Sequence, residues 1–320
     1  MNIVRGFVIY ALCLSFFFSL GAAPAFAAYS KAKPELVVSQ VSEHQALLDA
    51  TVNLYCRVKS GNKTVSTTGT GVFIDSRGII LTNAHVAQYF LLSEGTSRLK
   101  SDCTVRVGSP AKDAYTADLL YLSPVWISKN AAELATKKPK GLGENDFALL
   151  YVTGAKKGGV LPTSFPTVPL KVATSFAERD RVVVAGYPAG ALNYADIKNK
   201  LMVVATSSTI ASLRTFEVGK VDIVALSPSK AASSGVSGGP IVRDGQLIAI
   251  VTTMSTTKKK GEGSLRGITI PYIDRAIREQ TGLPLQTIYA GDLALRASTT
   301  RKLASAGLFK IIEKGLRLIR

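Results

Sequence analysis

The chain has 320 residues, 47% of them hydrophobic and 19% charged, which supplies a sizeable core and excludes a disordered polar chain. Lysine and arginine number 39 against 22 acids, a formal charge of +17. Three cysteines are too few for a disulfide scaffold or a four-thiolate zinc site, and with His44 and His85 the only histidines, imidazole chemistry has two candidates.

Residues 1–27 have the layout of a secretory signal peptide. Arg5 provides the positive start, an apolar run covers 7–20, Gly21 and Pro24 break it, and Ala25-Phe26-Ala27 is a small-x-small cleavage site. The run is nearly long enough for an uncleaved anchor, but the break and the cleavage site favour removal. The expectation is an exported chain, periplasmic or secreted, starting near Ala28. Export implies an oxidising compartment, and Cys56 and Cys103 remain after cleavage as an even pair in strand-like segments. One disulfide between them is expected, with two buried free thiols as the alternative.

Residues 28–50 form an N-terminal segment, loose to about 41 and then a short helix over 42–50 with Ser42 as its cap. His44 falls in this helix and reads as a surface residue. From Thr51 the pattern changes to short runs rich in Val, Ile, Thr and Tyr, punctuated by Gly, Ser, Asn and Asp. Strands are expected at 52–58, 69–75, 78–83, 104–107, 117–122 and 147–152, with a turn at Asp75-Ser76-Arg77-Gly78 and a short helix over 86–92. Residues 129–145 read as a polar insertion, and 156–169 as a Gly- and Pro-rich linker. A second set of strands follows at 182–186, 200–205, 213–217, 221–226 and 241–253, the last with the hairpin signal Asp244-Gly245. Residues 267–270 give a final strand ended by Pro271, and 273–280 a helix ending at Gly282. The pattern is all-β in two halves of similar size.

Three segments carry residues suited to nucleophilic chemistry: Leu81-Thr82-Asn83-Ala84-His85-Val86, Asn145-Asp146-Phe147-Ala148 and Gly235-Val236-Ser237-Gly238-Gly239-Pro240. A serine hydroxyl needs a base to take its proton, histidine titrates in the right range, and a carboxylate fixes the imidazole tautomer. With these segments, in this order, and with Gly69-Thr70-Gly71-Val72-Phe73-Ile74, residues 180–190 and 267–271, the chain resembles the trypsin-like (chymotrypsin-fold) serine proteases. It is most similar to the HtrA/DegP-type protease domain over residues 51–280. The resemblance implies two six-stranded antiparallel β-barrels, about 51–155 and 165–281 within a domain of 51–281, followed by a C-terminal helix or helical tail.

The resemblance also implies roles. His85, Asp146 and Ser237 would form the catalytic triad of an endopeptidase acting through an acyl-enzyme. The N–H groups of Gly235 and Ser237 would form the oxyanion hole. Ala231, six residues before the nucleophile, would form the base of the substrate pocket, with Ile250, Val251, Thr252 and Thr253 along its wall. Without a carboxylate at that base, a preference for lysine or arginine is not expected; a small or medium apolar side chain is, with Lys230 as a competing reason to favour an acidic one. Val236 departs from the pattern, because the family carries a polar Asp or Asn there. Too few residues follow Gln280 for the PDZ domain usual in HtrA-type proteins.

No metal or other cofactor is required by this chemistry. The expected partner is a protein or peptide substrate. Residues 282–320 form a basic tail, with seven basic residues and one acid from Arg296 to Arg320. It reads as an amphipathic helix for an anionic membrane surface, or equally as a helix packed on the barrels. Aromatic interleaving and nucleic-acid motifs are absent, so no nucleic acid is inferred. The rival functional reading is a catalytically weak, protease-like binding module that uses the basic surface and tail.

Overall fold

In the computed structural model, described for residues 43–60, 63–92, 99–130, 143–156, 158–229, 232–256 and 263–306, two closed six-stranded barrels follow one another along the chain. The first comprises β1 (Thr51–Ser60), β2 (Lys63–Asp75), β3 (Ile79–Thr82), β4 (Leu99–Val107), β5 (Lys112–Leu122) and β6 (Ala148–Ala155), closing in the order β1-β2-β3-β6-β5-β4. The second comprises β7 (Arg181–Gly186), β8 (Val204–Arg214), β9 (Ile223–Leu226), β10 (Pro240–Arg243), β11 (Gln246–Thr256) and β12 (Gly263–Thr269), closing as β10-β11-β12-β9-β8-β7. Neighbouring strands in both barrels pair antiparallel.

Several strands read as unbroken apolar runs because both their faces are buried. On β3, Ile80 fills the first barrel, while Ile79 and Leu81 face a core shared by the two barrels and the C-terminal helices. On β6, Ala148 and Leu150 turn inward and Leu149 turns to the shared core. This is period-two alternation with apolar surroundings on each side. The shared core also takes Ile223, Leu247 and Ile250 from the second barrel, fixing the two barrels against each other.

Residues 43–50 are helical (α1), with Leu47 and Ala50 buried. Helix α2 (Ala84–Leu92) starts at the end of β3, and α3 (Pro124–Asn130) follows β5 with Trp126 and Ile127 buried. Only the first two residues of the expected insertion, Lys129 and Asn130, fall in this helix, as its end, and residues 131–142 lie outside the described part. Cys56 and Cys103 are direct partners across β1 and β4 and form the disulfide.

Two expected strands are corrected. Residues 200–205 and 213–217 are not separate strands, because a single β8 runs from Val204 to Arg214 and pairs along its length with β7 and β9. Its polar centre, Thr206 to Thr209, hides it in the sequence. The residues just before it form a short helix, α4 (Tyr194–Asn199), whose cap Asn193 accepts from the Asp196 N–H at 3.0 Å.

The final strand stops at Thr269, one residue earlier than expected, because Thr269 caps helix α5 (Ile270–Thr281). Pro271 sits in the first turn of that helix, where its missing N–H costs nothing. Gly282 ends it in the left-handed conformation, φ 73°. Ile270, Ile273, Ala276 and Ile277 form its buried stripe. Helices α6 (Leu285–Ile288) and α7 (Leu293–Ala306) follow. In α7, Leu293 and Ala297 are buried, Thr300 donates to Leu120 O at 2.8 Å, and Arg301 pairs with Asp118. The described part of the basic tail thus packs on the first barrel. Residues 307–320, and the expected signal peptide at 1–27, lie outside the described residues. Among the described residues, no helix is long and apolar enough to cross a membrane.

Candidate active site

His85 lies in the first turn of α2, and Asp146 lies two residues before β6, so adjacent strands β3 and β6 deliver them to one end of the first barrel. The contact is two-pronged. His85 Nδ1 is 2.7 Å from Asp146 Oδ2, and the His85 backbone N–H donates to Asp146 Oδ1 at 2.9 Å. Burial of the ring pulls the His85 pKa down, and the charge and hydrogen bond of Asp146 push it up further, leaving it above the ordinary imidazole value.

Asp146 and the residue before it are held from three directions. Thr252 Oγ1 donates to Asp146 Oδ2 at 2.8 Å, and Asn83 Nδ2 donates to Asp146 O at 2.9 Å. From the C-terminal helix, Tyr272 and Gln280 clamp the preceding residue. The Asn145 N–H donates to Tyr272 Oη at 2.9 Å, and Gln280 Nε2 donates to Asn145 Oδ1 at 2.8 Å. Asn145 is left-handed, φ 57°, a conformation asparagine tolerates better than most residues.

Ser237 sits in the turn before β10, which is pressed against the first barrel. Thr70 N–H donates to Ser237 O at 2.8 Å, and Thr70 Oγ1 donates to Gly235 O at 2.7 Å. Gly238, at φ 84°, passes so close that a Cβ would fall 2.1 Å from Thr70 O and 2.4 Å from Thr82 Oγ1. Thr82 ends β3, directly ahead of the segment that carries His85. The nucleophile candidate and the His85–Asp146 pair are therefore brought to the same junction. Among the described residues, no hydrogen bond joins Ser237 Oγ to the His85 ring, a contact that tightens in many enzymes only when substrate arrives.

Gly235 has φ 96°, and a Cβ there would meet Tyr187 O at 2.5 Å, so only glycine fits. The carbonyl of Ser234 accepts from the Ala189 N–H at 2.7 Å. A trans peptide points its carbonyl and N–H in opposite directions, so the Gly235 N–H is turned away from Ala189. Val236 is buried, packed on Gly186 within the second barrel's core. The residue that replaces the family's polar anchor thus holds the turn by an apolar contact.

The expected pocket residues fare differently. Ala231 lies outside the described residues, as does the side chain of Thr253. Ile250 and Val251 are buried in the shared core and the second-barrel core, so their side chains are structural. Thr252 turns to Asp146 instead of lining an open wall. Sequence reading had no signal for this, because its role follows from strand register. A cavity of about 960 Å³ lies elsewhere, between α1 and the second barrel; half-buried His44 lines it with Arg181, Arg243 and Ser208, and no triad candidate does. Among the described residues, no cluster of acids, histidines and cysteines is arranged to hold a metal ion.

Two consecutive closed six-stranded antiparallel barrels, with His85 and Asp146 paired at one end of the first, have the trypsin-like fold. The chain belongs to the trypsin-like peptidase domain family, whose profile matches residues 69–250. Among solved structures it is similar to the crystal structure of Deg5, with 18% identity, 75% of this chain and 93% of that chain covered, and a TM-score of 0.46. It is also similar to the Rv3671c protease from M. tuberculosis in its active form, with 20% identity, coverage of 78% and 87%, and a TM-score of 0.46. No curated protein matches the sequence significantly.

Proposed function

We propose that the chain is an exported serine endopeptidase in which Ser237 attacks the peptide carbonyl, His85 takes and returns the proton, and Asp146 orients the imidazole. The observation that carries this is the double contact of His85 to one carboxylate through both its ring and its backbone. It leaves Nε2 as the ring nitrogen free to serve a nucleophile. The N–H groups of Gly235 and Ser237 make no hydrogen bond among the described residues, which suits an oxyanion hole awaiting substrate. Water then hydrolyses the acyl-enzyme by the same base. The substrate is a protein or peptide, as membership of a peptidase family implies. Export rests on the signal-like residues 1–27 and fits the Cys56–Cys103 disulfide.

The rival reading, a binding module with weak or no catalysis, draws on the missing Ser237–His85 hydrogen bond. One experiment separates them. A fluorophosphonate should label the folded chain once, and labelling should vanish in Ser237→Ala. Absence of labelling in the folded wild type would reverse the choice.

A further inference from the structure

Arg106 is a charged residue buried on the outer face of the first barrel, since its neighbour Val105 is the β4 residue that turns into the barrel core. It lies on β4 and is only 2% exposed. Burial pulls its pKa below the ordinary guanidinium value, with Asp113 opposing. Asp113 stands 3.4 Å from its Nε and is itself 41% exposed, a weak partner for a buried charge. The remaining donors go to uncharged oxygens. Within the first barrel they reach Asn53 Oδ1 at 3.2 Å and Ala111 O at 2.6 Å. Across the junction they reach Ile197 O at 3.0 Å and Lys198 O at 2.5 Å. These two carbonyls belong to the last turn of α4, where carbonyls lack intrahelical partners and attract positive charge.

Helix α4 belongs to the connection that leaves β7, whose first residues form the platform under the Gly235 turn. Ala189 N–H holds Ser234 O at 2.7 Å, and Gly190 N–H donates to Ser233 Oγ at 3.0 Å. The whole connection is tied to the first barrel at both ends. At its start, Tyr187 Oη donates to Gly108 O at 3.0 Å, and Tyr187 N–H donates to Thr70 Oγ1 at 3.0 Å. At its far end, Ala111 N–H donates to Leu201 O at 2.7 Å beside the Arg106 contacts. Ala111, Tyr187, Ala189 and Leu201 close a small apolar core between the two anchors.

We propose that Arg106 is a positioning residue for the oxyanion hole: by clamping the end of α4 to the first barrel it fixes the Tyr187–Gly190 platform, whose Ala189 N–H sets the Ser234–Gly235 peptide plane. This rests on the serine peptidase reading and answers what orders the Gly235 turn when Val236 offers no polar anchor. A planar fork is required, since one side chain must reach carbonyls on two elements at once.

The test uses the full chain with Arg106→Lys and Arg106→Met, and Asn193→Ala as a milder probe that removes only the exposed cap of α4. A peptide that the wild type cleaves serves as substrate. Because the hole acts on the transition state, kcat should fall roughly tenfold in the Arg106 variants and less in Asn193→Ala, with KM within roughly twofold. Binding of a peptide boronate should weaken by about the same factor as kcat, and the acid limb set by His85 should stay where it is. Amide exchange at residues 232–239 should quicken in all three variants. Unchanged kcat with unchanged exchange in a folded variant would overturn the inference, as would a loss confined to KM. If the Arg106 variants do not fold, Asn193→Ala decides by the same readouts. A wild type that neither cleaves nor labels removes the peptidase reading, and the exchange measurement then still decides whether Arg106 orders the turn.

Discussion

The two barrels contribute to the junction in different ways. The first supplies side chains, His85 and Asp146, locked by hydrogen bonds to ring, backbone and carboxylate. The second supplies mainly backbone, a turn at residues 235–239 whose shape depends on glycines at φ 96° and 84° and on the platform beneath it. Yet each half is finished by the other barrel. Thr252 of β11 completes the seat of Asp146, and Thr70 of β2 fastens both Gly235 and Ser237. A hydrogen-bonded acid–histidine pair in one half and a serine carried on a shaped backbone turn in the other is a division that substitutions can expose.

The largest effect on turnover is expected in the first half. Asp146→Asn keeps the volume but offers the wrong tautomer to His85, so kcat should drop about 10⁴-fold, with thermal stability nearly preserved. In the wild type, the base must be neutral to work, so kcat/KM should rise with pH through the His85 pKa. Since Asp146 holds that pKa above 6.5, the acid limb should lie on the alkaline side of an ordinary histidine. A pH–rate profile with its midpoint below that value would break the assignment.

In the second half, Gly238→Ala should damage geometry and stability together. Its Cβ would meet backbone at 2.1 Å in a left-handed residue, so a loss of about 3 kcal/mol is expected alongside loss of cleavage. Denaturant titration beside a cleavage assay would show it, and a fully stable, active variant would contradict the packing. The smallest effect should come from Thr252→Val, which removes one hydrogen bond to the carboxylate. That amounts to about 1–2 kcal/mol, or roughly a tenfold fall in kcat/KM, without loss of fold. An effect as large as that of Asp146→Asn would mean that the second barrel governs the first half more than its single contact implies.

The difference also explains what could be read from the sequence. His85, Asp146 and Ser237 stood out because each brings a functional group inside a recognisable run, and Cys56 and Cys103 because they formed an even pair. Two all-β halves were legible from the count and spacing of short strands, and the resemblance to trypsin-like proteases made each a six-stranded barrel. The supports were not legible. Thr252 sat inside an apolar strand run and read as pocket wall, because only the pairing of β11 shows where its hydroxyl points. Arg106 counted as one more basic residue in a basic chain, and nothing local announces that it is buried. Helix α4 is too short for a periodic signal, and the polar stretch Thr206–Thr209 split one strand into two. What escaped is information carried by register and by contacts between distant segments.

Asn145 joins the last of these observations. Its backbone and amide are gripped by Tyr272 and Gln280 of α5, both beyond the span of the family profile. During synthesis His85, Asp146 and Ser237 are all made before that helix exists. The contacts that hold the residue beside Asp146 are therefore completed only when the chain has been made as far as Gln280.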